Sequence, residues 1–230
     1  RFAEADATLT RGLAAFHEFV GDLTAILIAL RNTAFRHALI EETGGDLSKE
    51  STLSRVAEQF GEHVQHRPYL RSARNRLTMA DVAGDQRPHY MSQVLTGAMF
   101  DMIIRLAKHY VKNRRRTVPQ AFWDTIQRVH NMAIQPLDLL PPADVTFRDY
   151  ALAVLRAEEI ANPTDPDDYR GLMLDIFIER GILASPDRAE LRRPRHVFER
   201  LELDVFHDVD LVACSRSDAY RFLDDNRERL

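Results

Sequence analysis

Residues 16–27 read FHEFVGDLTAIL, an apolar stretch that carries two carboxylates four positions apart. Its apolar residues recur at spacings of three and four, which is typical of an α-helix. The same spacing extends from Leu13 to about Phe35 and covers most of the helix circumference, so we predict a long helix that is buried on several sides. Glu18 and Asp22 lie on one face of this helix.

The two carboxylates require a compensating environment, because burying an unpaired charge is costly. A metal ion would compensate Glu18, while Asp22 would orient a metal-bound histidine. Alternatively, this face meets solvent or an arginine of a neighbouring helix. His17 and Glu18 begin like the zinc-binding motif H-E-x-x-H, but residue 21 is glycine, so the second histidine of that motif is absent here.

The rest of the chain is also mainly helical in pattern. We predict further helices at 53–65, 89–113, 119–137, 146–160 and 168–180. Thr146 to Asp149 has the form of a capping box, and Gly181 suits a left-handed helix C-cap. Residues 66–88 lack a period, and a loose alternation within 196–212 is compatible with strands. The predicted fold class is therefore mainly α, with some strand character in the C-terminal tail.

Composition limits the function classes. The chain has 230 residues, 45% of them hydrophobic, and a net charge of -4, which is typical of a folded domain with a substantial core. The acidic balance argues against a nucleic-acid partner, and the basic stretch 112–116 is better interpreted as a solvated helix C-terminus. No run has the roughly 18 apolar residues of a membrane span, so we expect no membrane partner.

His89 is the second candidate site, at the start of the strongest predicted helix and directly after Pro88. The positive end of a helix disfavours an imidazolium, whereas an acidic neighbour such as Asp85 or Asp81 favours it. That combination suits a histidine that donates a hydrogen bond to developing negative charge. A helix-capping role is the alternative.

These residues resemble the C-terminal half of a thermolysin-like zinc metallopeptidase of the gluzincin group. In that group H-E-x-x-H lies on one helix, and the glutamate of an E-x-x-x-D motif on the next helix is the third zinc ligand. Residues 18–22, EFVGD, match E-x-x-x-D. The resemblance implies that Glu18 binds zinc and that Asp22 holds one of the two zinc-binding histidines.

Further segments match in order, over roughly residues 1–183. Residues 70–72, LRS, are similar to a segment whose arginine contacts the substrate backbone and supports the ligand glutamate, which implies that role for Arg71. Residues 88–94, PHYMSQV, resemble the segment whose histidine stabilises the oxyanion, which implies that role for His89 with Asp85 as its orienting carboxylate, one residue nearer than usual. Residues 175–182, DIFIERGI, are similar to the closing A-F-x-x-x-G-[VI] pattern, with Ile176 in place of alanine.

The resemblance also implies a domain organisation. Residues 1–43 would end the catalytic domain, residues 44–183 would form the helical C-terminal domain, and residues 184–230 would be an extra tail of unknown role. No H-E-x-x-H occurs in the chain, which begins at Arg1 rather than methionine, and by family spacing the motif would end just before that residue. We therefore expect a missing N-terminal segment to supply it.

The complete protein is then expected to bind zinc and to hydrolyse a peptide or protein substrate, whereas this chain alone would be inactive. A non-catalytic helical binding or scaffold protein that keeps the fold without metal is the alternative.

Four other residues have simpler interpretations. His63 and His66 have a spacing that suits a metal pair, but an exposed helix end explains them more simply. Trp123 is predicted to lie in the core. Cys214 is the single cysteine, which excludes an internal disulfide framework, and it is interpreted as a buried small apolar residue.

Overall fold

The computed structural model describes residues 10–56, 71–85, 87–141, 144–191 and 215–226. The chain forms two compact units, residues 1–188 and residues 189–230. The described part is mainly helical, which confirms the predicted class. The predicted strands within 196–212, the histidines at 63 and 66, and Cys214 lie outside the described residues.

Seven helices are described in the first unit: α1 (Arg11–Arg31), α2 (Thr33–Thr43), α3 (Met79–Val82), α4 (Pro88–Asn113), α5 (Val118–Ile134), α6 (Phe147–Ala161) and α7 (Tyr169–Glu179). Short 3-10 turns occupy Thr52–Ser54 and Gln135–Leu139. Two-residue strands, β1 (Arg55–Val56) and β2 (Arg71–Ser72), pair antiparallel with Arg55 opposite Ser72. Two more helices follow, α8 (Asp187–Leu191) and, in the second unit, α9 (Arg216–Asp225).

The core of the first unit forms where α1 packs on α4 and α4 packs on α5. The aromatic rings of Phe16 and Phe19 on α1 lie 5.5 and 5.2 Å from that of Tyr150 on α6. Tyr150 is fully buried, and its hydroxyl donates to the carbonyl of Ala133 on α5 at 3.1 Å. Burying a large apolar side chain contributes roughly 1.5–3 kcal/mol, so these contacts fix α1 firmly against its neighbours.

Helix α1 is long and apolar enough to cross a membrane by length and composition alone. Core helices of folded proteins share those properties. Eight of its residues are buried within the fold, including Phe19, Leu23 and Leu30. Packing inside the first unit therefore accounts for the apolar character of this helix.

The long helix predicted from Leu13 to about Phe35 is in fact two helices, so that boundary was wrong. Asn32 lies between them in an extended conformation, and its side-chain oxygen accepts a hydrogen bond from the backbone N–H of Phe35 at 3.1 Å. The guanidinium of Arg36 donates to the carbonyls of Leu30 and Arg31, each at 2.8 Å. These side chains satisfy the backbone groups that a helix end leaves without partners, and so stabilise the break.

Other expectations had mixed outcomes. The helix predicted at 53–65 is wrong for residues 53–56, which form a 3-10 turn and β1; the remainder is outside the described residues. Trp123 is not in the core: it is 45% exposed, and the Arg36 guanidinium lies 5.0 Å from its ring.

The capping box is confirmed, with Thr146 accepting from the N–H of Asp149 at 3.1 Å. Gly181 has the predicted left-handed conformation, with φ at 67°.

Candidate functional site

The first half of α1 positions both predicted carboxylates. Thr10 caps the helix, and its hydroxyl oxygen accepts from the N–H of Leu13 at 3.3 Å. One helical turn apart, Glu18 is one-third exposed and Asp22 is only 4% exposed. The hydroxyl of Thr96 on α4 donates to Asp22 Oδ2 at 3.3 Å. Asp22 is therefore held at the packed interface of α1 and α4, while Glu18 lies nearer to solvent.

The start of α4 brings His89 to Glu18. Pro88 takes the first helical position, where its missing N–H leaves no hydrogen bond unmade. His89 Nδ1 lies 2.7 Å from Glu18 Oε2, and the imidazole is 63% exposed. A carboxylate partner requires the proton on Nδ1, so Nε2 carries the lone pair whenever the ring is neutral. The structure thus joins two residues that the sequence singled out on separate helices.

Asp85 has a different observed partner from the one predicted. Its carboxylate accepts from the backbone N–H of Arg87 at 2.8 Å and from the Nε of Arg87 at 3.0 Å. These hydrogen bonds lower the pKa of Asp85 to about 2. The carboxylate found at His89 Nδ1 is that of Glu18, so the orienting role assigned to Asp85 stays a prediction.

The remaining predicted site residue, Arg71, lies in β2, where its backbone pairs with that of Val56. Its side chain is outside the described part of the structure, and its substrate-binding role stays a prediction. The backbone next to it is fixed, because the N–H of Ala73 donates to the carbonyl of Ser54 at 2.8 Å.

Two arginines that the sequence did not single out hold the loops around this site. Arg11, at the start of α1, donates to the carbonyl of Val82 at 2.7 Å, and so links α1 to the segment that precedes His89. Arg180 is 4% exposed and binds Asp101 Oδ2 on α4 at 2.6 Å. It also donates to the carbonyls of Asn75 and Leu77, at 2.6 and 2.9 Å. An arginine at the C-terminal end of a helix is usually exposed to solvent, so the local sequence gave no indication of this buried role.

The described side chains at this site supply only part of the ligand set that a catalytic metal needs. Within the described ranges, no group of three or more His, Cys, Asp or Glu side chains is placed to hold a metal ion. Catalytic zinc takes three protein ligands and a water. Glu18 would thus be one ligand of a set that draws on residues beyond those described, and Asp22 would lie one helical turn behind it.

Comparisons of the chain with protein-family models, with curated proteins and with solved structures found no match. The resemblance to gluzincin peptidases stays a prediction that rests on the residue motifs.

Proposed function

We propose that this chain is the C-terminal part of a zinc-dependent metallopeptidase, and that Glu18 and His89 are its contribution to the active site. The observation that supports the proposal most is the 2.7 Å contact between Glu18 Oε2 and His89 Nδ1. The motif comparison selected each residue separately, one as a zinc ligand and the other as an oxyanion donor. Two residues of a shared catalytic centre must be neighbours, whereas two residues placed by chance on long helices need not be.

Each residue has a distinct role in this proposal. Glu18 supplies a carboxylate oxygen to the zinc, and Asp22, fixed by Thr96, orients a histidine from a segment that carries H-E-x-x-H. As an imidazolium, with Nδ1–H on Glu18, His89 donates a hydrogen bond from Nε2–H to the tetrahedral oxygen, and Arg71 positions the substrate backbone. When bound, zinc would polarise the peptide carbonyl and activate a water for attack. The Asp85–Arg87 pair shapes the turn directly before His89.

The ligand role is tested with the complete gene product. We expect Glu18→Gln to lose zinc and peptide hydrolysis together, because a neutral amide is a poor zinc ligand. Glu41→Gln changes an exposed carboxylate on α2 and serves as the matched control, with zinc content and activity unchanged. Full zinc occupancy in Glu18→Gln would reject the ligand role.

The oxyanion role predicts a separation of zinc binding from catalysis. His89→Ala should keep its zinc but lower kcat by about 10²–10³-fold, the effect of removing one oxyanion donor. His37→Ala, which alters an exposed histidine on α2, should leave both quantities unchanged. A wild-type kcat in His89→Ala would show that this imidazole does not act on the transition state.

The non-catalytic scaffold is the second candidate. It is favoured by the observation that the Glu18 carboxylate has a compensating partner within the fold, since His89 Nδ1 lies 2.7 Å from it. On this hypothesis the gene encodes no H-E-x-x-H, and its whole product contains no zinc. Sequencing the gene upstream of Arg1 and measuring zinc in the product distinguish the two candidates.

A further inference from the structure

A polar cleft of about 510 Å³ opens between the C-terminal end of α4, the body of α5 and the start of α7. Its volume is in the range of small-molecule sites. Three arginines line it, Arg114, Arg116 and Arg128, together with the hydroxyl-bearing rings of Tyr110 and Tyr169. These residues are separate from the Glu18 site and have no part in the peptidase proposal.

The wall of this cleft is rich in hydrogen-bond donors. Asp124 is the one acidic residue among the described residues that line it, and its carboxylate binds the Nε of Arg116 at 2.8 Å. Arg114 and Arg128 also bind the carboxylates of Asp167 and Glu158, which are not part of the wall and are 16% and 5% exposed. A guanidinium has five N–H donors in a planar fork, and one carboxylate engages at most two of them well.

Arg128 has a donor that the described protein does not satisfy. Its Nε is buried and has no hydrogen-bond partner among the described residues. The guanidinium stacks 4.3 Å from the centre of the Tyr169 ring, which fixes its plane. Since Nε is buried, a ligand in the cleft would contact the terminal N–H groups of Arg128, whose orientation the stacking fixes.

The turn after α4 directs two of its three consecutive arginines into the wall. Arg115 takes a left-handed conformation, with φ at 52°, and the N–H of Arg116 bonds back to the carbonyl of Tyr110 at 3.1 Å. Helices that end in this way usually have glycine at the left-handed position. All five residues of the stretch 112–116 are exposed, as the interpretation of a solvated helix C-terminus predicts, and Arg114 and Arg116 also line the cleft whereas Arg115 does not.

We propose that this cleft binds a small molecule that carries a phosphate or pyrophosphate group. The forks of several arginines match phosphate oxygens in pairs, and each guanidinium has N–H donors beyond those that its carboxylate partner engages. The hydroxyl of Tyr110, which accepts from that of Tyr169 at 3.2 Å, adds a donor for a remaining oxygen.

The test is isothermal titration of the metal-free chain with inorganic phosphate and with pyrophosphate. Buffer at about 150 mM salt screens unspecific attraction beyond roughly 8 Å. We expect saturable one-to-one binding, weakened at least tenfold in the double variant Arg114→Gln/Arg116→Gln. Arg115→Gln removes one positive charge from the same turn but none from the wall, and it should bind within about twofold of wild type.

Several outcomes overturn the proposal. They are no saturation with pyrophosphate by about 10 mM, equal losses in the Arg115→Gln control, and tighter binding of the dicarboxylate succinate than of phosphate. Arg114 and Arg116 are about half-exposed, so the double variant is expected to fold. If circular dichroism shows that it does not, Arg116→Gln alone replaces it, with about a fivefold loss expected. Because no zinc is present in the titration, its result is independent of the peptidase proposal.

Discussion

Gly97 lies in the middle of α4, where glycine is normally a poor choice. It is next to Thr96, which binds Asp22, and it faces the polar cluster built on Arg180. A Cβ at this position would lie 2.8 Å from Asn75 Oδ1 and 2.9 Å from Arg180 Nη1. Real Cβ atoms do not approach neighbours so closely, so Gly97→Ala requires the Asn75 amide or the Arg180 guanidinium to move.

Neither group can move freely. Arg180 donates to Asp101, Asn75 and Leu77, while the Asn75 side chain donates to the carbonyls of Ser72 and Gln93 at 3.0 and 2.9 Å. Losing the Asn75–Arg180 hydrogen bond costs about 1.5–3 kcal/mol because one partner is charged, and weakening the bond to Gln93 costs about 1 kcal/mol more. Alanine in a helix returns about 0.5–1 kcal/mol relative to glycine. The expected net loss is about 1.5–3.5 kcal/mol.

Gly21→Ala is the matched control. Gly21 is also inside a long helix, α1, but it is exposed and its added Cβ would meet nothing within 4 Å. Only the helix-propensity gain remains, so this variant should be more stable than wild type by about 0.5–1 kcal/mol. For a unit of this size we expect melting temperatures about 3–14 °C lower for Gly97→Ala and about 1–4 °C higher for Gly21→Ala.

The assay is urea unfolding followed by circular dichroism, with thermal melts as a second measure. A lower stability of Gly97→Ala and a higher stability of Gly21→Ala, each relative to wild type, support the reasoning. If Gly97→Ala is as stable as wild type, the Arg180 cluster is looser than its hydrogen bonds indicate, and the support that it gives to α4 beside Thr96 is refuted.

Two predictions concern ion pairs. Arg87 lowers the pKa of Asp85 from 3.8 to about 2, so ionised Asp85 stabilises the fold above that range, and this contribution is lost as pH falls through it. In thermal melts at decreasing pH, Asp85→Asn should therefore lose less stability than wild type. Identical pH profiles for the two proteins would contradict the pairing. Arg128→Met should cost about 3 kcal/mol in urea unfolding at pH 7, because Glu158 is left buried without its cation. Burial raises the pKa of Glu158, so this loss should shrink as pH is lowered; a loss independent of pH would refute the assignment.

Several elements were predictable from local sequence because their determinants act within one or two helical turns. The start of α4 at Pro88, the Thr146–Asp149 capping box and the left-handed Gly181 all follow from residues that contact their own neighbours. The errors arose where side chains made local contacts that periodicity does not register. Asn32 and Arg36 end α1 early through hydrogen bonds to backbone groups that a helix would otherwise use.

The features of the candidate site also divide into those set by local sequence and those set by tertiary structure. The sequence by itself determined that α1 is a buried helix with two carboxylates on one face, because a repeat of three to four residues specifies which side chains share a side. Tertiary structure alone decided that Glu18 meets His89, that Arg180 becomes a buried anchor, and that Arg128 lines one cleft with Arg114 and Arg116. Such contacts join residues far apart in the chain, and their geometry depends on how whole helices pack, which no local pattern encodes.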